Sequence, residues 1–122
     1  MKKLYFLLFT FLITSFSFGQ DMVITGVFDG PLTGGTPKAV EIYVINNISD
    51  LSTFGFGSTN NGGGTDGEEL SFTGAANAGD FIYLTANEAD FETYFGFAAD
   101  FVDSSANNNG DDALELFSGG VV

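Results

Sequence analysis

Sixteen carboxylates, no histidine and no cysteine define the chemistry open to this chain of 122 residues. Its three basic residues are Lys2, Lys3 and Lys38, so arginine is absent as well. That composition excludes Ser-His-Asp and Cys-His nucleophilic arrangements and zinc sites built on imidazole or thiolate. It also removes the histidine or arginine on which most phosphoryl-transfer sites rely. Glycoside hydrolysis needs only two carboxyl groups and is not forbidden by composition. The adjacent pairs Glu68-Glu69 and Asp111-Asp112 do not supply a facing dyad, however, because neighbours along a strand point to opposite faces. Without a tryptophan or arginine platform for a sugar, the chain is expected to carry no enzyme active site of its own.

Binding of a hard cation is the other chemistry such a set can perform. Asp66 and Glu68 in one stretch, and Asp103, Asn107 and Asp111 in another, offer the carboxylate and amide oxygens that calcium takes. A helix-loop-helix calcium register with Gly110 at its glycine position accommodates Asn107 and Asn109. It places Ser105 at the first ligand and Leu116 at the closing glutamate, and so fails. What remains is a calcium site shared between two loops, weighed against the ordinary use of Asn, Asp and Gly as turn formers. No other cofactor is expected. Glu41 and Lys38 are expected to act structurally: a carboxylate flanked by Val40 and Ile42 must accept hydrogen bonds or pair, for instance with Lys38, to be buried.

These groups must be held by a fold, and the first nineteen residues do not belong to it. Lys2 and Lys3 precede a charge-free stretch over residues 4–18, and Ser17 and Gly19 supply the small residues of a cleavage site before Gln20. The stretch falls short of the roughly 18 to 20 residues that a spanning helix needs. Residues 1–19 therefore read as a secretory signal peptide, which places the product outside the cell or on its surface with no transmembrane span. Residues 21–122 form one domain, large enough for one modest core. In that domain Lys38 alone faces all sixteen acidic residues, and one lysine cannot build a phosphate-binding face, so direct nucleic-acid binding is not expected.

Short apolar runs separated by Gly, Asn, Asp and Ser predict an all-β sandwich. Strands are expected over 23–28, over 39–46 as a central strand buried on both faces, over 70–72, over 81–85 and over 113–117. A weaker strand is expected over 51–56, interrupted by Gly55 and Gly57 as at a bulge or an edge. Residues 58–67 read as a long surface loop. One short helix is predicted between Asn87 as its cap and Gly96 as its left-handed stop, with Phe91, Tyr94 and Phe95 packing as one core stripe. Ser118 to Gly120 reads as a hairpin turn into a last strand that is truncated, so the sequence is expected to be a fragment of a longer protein.

In their order and spacing, the segments Val23-Ile24-Thr25-Gly26-Val27-Phe28, Lys38-Ala39-Val40-Glu41-Ile42-Tyr43, Asp50-Leu51-Ser52, Ala78-Gly79-Asp80-Phe81-Ile82-Tyr83 and Gly110-Asp111-Asp112-Ala113-Leu114-Glu115-Leu116 resemble a lamin-tail domain in its bacterial exported form. The chain departs from that pattern in lacking tryptophan. The resemblance implies an immunoglobulin-like β-sandwich and a non-catalytic binding or attachment module with an extracellular or cell-surface ligand and an attached downstream domain. An accessory domain of a longer secreted nuclease or phosphatase, and a calcium-dependent adhesion module, are the alternative expectations.

Overall fold

The computed structural model describes residues 19–65 and 67–119. Residues 1–18 of the expected leader, Asp66, Gly120 of the expected hairpin turn and the expected last-strand residues Val121 and Val122 lie outside the described residues. Seven strands and one helix are assigned among the rest: β1 Met22–Leu32, β2 Thr36–Val44, β3 Phe54–Thr59, β4 Leu70–Ser71, β5 Phe81–Thr85, α1 Glu88–Phe95, β6 Phe101–Val102 and β7 Ala113–Ser118. They form two sheets, ordered β1-β2-β5-β6 and β4-β3-β7. The expected all-β sandwich with one short helix is the architecture that forms. Among the described residues no helix is long and apolar enough to cross a membrane.

Alternation along the strands makes the core. Val40, Ile42 and Val44 of β2 and Ile82 and Leu84 of β5 turn inward, where they meet Phe54 and Phe56 of β3 and the loop residues Ile48, Leu51 and Phe72. The opposite residues of the first sheet, Glu41 and Tyr43 of β2 and Phe81 and Tyr83 of β5, share its outer face through the register pairs Glu41↔Tyr83 and Tyr43↔Phe81. Helix α1 lies between β5 and β6, which pair in parallel. Two consecutive strands cannot run parallel without a crossover, and the helix supplies it.

Several local expectations give way to tertiary demands. The strand expected over 51–56 begins only at Phe54, because Asp50 caps a 3₁₀ turn over Leu51–Thr53 through a 2.9 Å bond to the Ser52 amide. That strand then runs on to Thr59, where Ser58 and Thr59 pair with Leu114 and Ala113, so the expected loop begins later. Nor is β3 an edge, since it is the middle strand of its sheet. Its glycines permit close approach instead. A Cβ on Gly55 would lie 2.2 Å from the Glu68 carboxyl carbon, and one on Gly57 would lie 2.6 Å from the Gly67 carbonyl oxygen.

Candidate functional site

The outer face of the four-stranded sheet carries a ring-walled cleft, and a defect in strand pairing builds one side of it. Between Ile24 and Gly26 the β1–β2 register shifts, so that Thr25 and Gly26 together stand opposite Glu41. This bulge brings the Thr25 hydroxyl to the Glu41 carboxylate, where it donates to Oε1 at 2.8 Å. Gly26, beside it, has no side chain to occupy the space. A Cβ there would come within 3.3 Å of the Glu41 Cβ.

Helix α1 forms the far wall. Its N-terminal residue is reached through Asn87, whose side chain does not cap the helix as expected. Asn87 Oδ1 instead accepts from the Lys38 amide at 3.0 Å, tying the helix entry to β2. Gly96 ends the helix with φ 82°, a left-handed conformation that glycine adopts without a Cβ penalty. So anchored, α1 buries Phe91 against the sheet but leaves Tyr94 46% and Phe95 38% exposed. Only one member of the expected core stripe is therefore core. The helix is short and lies on the outside of a sheet, so the flank of the stripe has nothing to pack under.

These rings join others into a connected surface. Phe28 of β1 lies 5.1 Å from Phe95 and 5.2 Å from Tyr94, centroid to centroid. Phe91 lies 4.7 Å from Phe95 and 6.1 Å from Tyr83. From Tyr83 the set continues to Phe97 at 5.0 Å and to Phe81 at 6.4 Å. Phe81 is 47% and Phe97 42% exposed, so water reaches a contiguous aromatic band rather than isolated side chains. Within it a cleft of about 210 Å³ is lined by Gly26, Phe28, Glu41, Tyr83, Phe91 and Phe95, among others. Burial above all, then the charge of Glu41 and a hydrogen bond to it, and last the charge of Asp100, push the Tyr83 phenol above its ordinary pKa. A cleft with one carboxylate, one phenol and ring walls can stack and hydrogen-bond a guest. It lacks the second carboxyl group that glycoside hydrolysis requires.

The Glu41 carboxylate thus accepts a hydrogen bond from Thr25, and it does not pair with Lys38. The Lys38 ammonium, 8% exposed, is paired with Asp29 at 2.5 Å across the β1–β2 ladder. Lys38 and Glu41 are three residues apart on one strand and so point to opposite faces, which is why the expected pair does not form. Of the residues expected to bind calcium, Asp66 lies outside the described residues. Glu68 accepts from the Ser71 hydroxyl and covers Gly55. Asp103 caps a 3₁₀ turn by accepting from the Ser105 amide at 2.9 Å, and Asn107 lines the same shallow polar depression. Asp111 is exposed, while its neighbour Asp112 accepts from the Asn61 and Asn109 amides. Among the described residues no group of three or more carboxylates is placed to hold a metal ion.

Sequence reasoning singled out Glu41 but missed the cleft around it. Phe28, Tyr83 and Phe95 are far apart in the chain, and only strand register and the helix crossover bring them together. No family model, curated protein or solved structure matches this chain.

Proposed function

We propose that this chain is a non-catalytic attachment module of an exported or cell-surface protein, of the lamin-tail type that its sequence resembles, and that it holds its ligand in the cleft between α1 and the outer face of β1, β2 and β5. The observation that carries this reading is the exposed aromatic band around a single carboxylate. A monomeric surface seldom leaves that much contiguous ring area in water unless something covers it. The composition supports a role without catalysis, because the residues past the leader offer no imidazole, thiol or guanidinium. Export is supported by the two lysines and the charge-free stretch at the start of the sequence.

Labelled protein added to the cells that produce it tests the reading. The wild-type protein is expected to be retained on the cell surface, as is the Ser49→Ala control. The double variant Phe28→Ser, Phe95→Ser is expected to wash off while keeping its circular dichroism. Equal retention of the double variant would remove the cleft from the function. In parallel, amino-terminal sequencing of the extracellular protein should begin at Gln20.

A further inference from the structure

We propose that the cleft is a receptor for an organic cation, an alkylammonium or guanidinium head whose charge meets Glu41 while its apolar part stacks on Phe28, Tyr83 and Phe95. This rests on the reading of the cleft as the binding site and adds the chemistry of what enters it.

Charge is the first argument. Glu41 is the one carboxylate lining the cleft; the Thr25 hydroxyl donates to it, and the Tyr83 phenol that shares the lining is neutral. A carboxylate accepts at about four lone-pair positions, so the bond from Thr25 leaves others open, at this exposed place, to water and to a guest. No cation of the described residues can reach it, because Lys38 is their sole basic side chain and is buried against Asp29. A guest that brings a positive charge therefore meets a carboxylate with no competing cation of the described residues.

The walls supply the second argument. Aromatic faces attract a cation held over them, most strongly where water is excluded, and four rings line this cleft. A sugar also stacks on rings, but its several hydroxyls would find one carboxylate and one phenol in the lining and leave the remainder unpaired. A divalent metal would gain a single carboxylate, far short of the six to eight oxygens calcium takes.

Space is the third. Gly26 lies at the bulge but lacks the left-handed φ that favours glycine, so no such conformational need applies there. What its missing side chain does is leave the cleft open beside Glu41. At roughly 30 Å³ per water-sized group, about 210 Å³ admits a head of about seven heavy atoms. The strongly acidic character of the domain draws cations toward the cleft and repels anions.

The test is calorimetric titration of the purified protein with choline and with its neutral carbon isostere 3,3-dimethylbutanol. A second arm uses the amide-blocked amino acids N-acetyl-lysine methylamide and N-acetyl-arginine methylamide. At least one cation is expected to bind about tenfold more tightly than the neutral isostere, and to weaken as salt is raised. Preference for choline identifies a small amine or headgroup as the source; preference for the blocked residues identifies a basic side chain of a partner protein. Glu41→Gln is expected to lower the affinity about tenfold while keeping the Thr25 bond and the melting temperature. Gly26→Val should fill the cleft and abolish binding in a protein of unchanged circular dichroism. The inference is overturned if no cation binds, if the isostere binds equally well, or if Glu41→Gln binds like the wild type. Should it fall while the Phe28, Phe95 variant still washes off cells, the attachment role stands and only the ligand chemistry is lost. If that variant is also retained, both fall.

Discussion

Two glycines of β3 offer a comparison that isolates what the backbone approach over this strand is worth. Gly57→Ala puts a Cβ 2.6 Å from the Gly67 carbonyl oxygen and 3.1 Å from a ring carbon of Phe117. The obstacle is backbone on one side and a buried ring on the other, so neither can swing aside. Overpacking of this kind costs about 1–3 kcal/mol. Gly57 has an ordinary strand φ, so the substitution also removes freedom from the unfolded chain and returns about 0.4–1 kcal/mol. A net destabilisation of about 1–2 kcal/mol remains, which lowers Tm by about 5–15 °C in a domain of this size. Gly55→Ala creates a nominally worse clash, 2.2 Å from the Glu68 carboxyl carbon. There, though, the obstacle is the far end of an exposed, flexible side chain. Glu68 can rotate into solvent and gives up only its bond from Ser71, worth about 0.5–1 kcal/mol at such an exposed place. The same unfolded-state gain offsets it, and Gly55→Ala should melt within about 3 °C of the wild type. Thermal unfolding of the two variants side by side reads the contrast. Equal shifts, or a neutral Gly57→Ala, would refute the reasoning, for then the segment entering β4 does not lie on β3.

The Lys38–Asp29 pair should respond asymmetrically: Asp29→Asn leaves a buried ammonium without its counter-charge and costs about 1–3 kcal/mol. Lys38→Met, which removes the charge itself, should change stability by less than about 1 kcal/mol, and urea midpoints at constant slope distinguish the two. Tyr83 should release its phenolic proton at higher pH than an ordinary tyrosine. Because its folded pKa is raised, the stability linked to it is intact below about pH 10 and is lost as the pH rises through the folded value. Tyrosinate absorbance, with Tyr83→Phe to assign the late step, measures this, and Glu41→Gln should bring the step only part of the way back because burial is the larger cause. A Tyr83 that titrates with the other tyrosines would contradict its place in the half-buried cleft wall beside Glu41.

Sequence alone determined those features whose physics is local or compositional. Alternating apolar runs broken by turn residues were enough for the sandwich, since a strand's side-chain period of two decides which face is buried. Gly96 marked the end of α1 because a left-handed stop favours glycine whatever surrounds it. The missing imidazole, thiol and guanidinium groups limited the chemistry before any fold was known. Only tertiary structure decided where the partners lie. Asn87 had two acceptable uses, the helix cap or the Lys38 amide, and the packing of α1 onto β2 selected the second. Gly55 and Gly57 signalled a special backbone, but the segment that lies over them comes from beyond a loop. The cleft was least legible of all. A one-residue bulge at Thr25, a neighbouring glycine and rings from β1, β5 and α1 converge on Glu41 through register and crossover, and no spacing along the chain records that convergence.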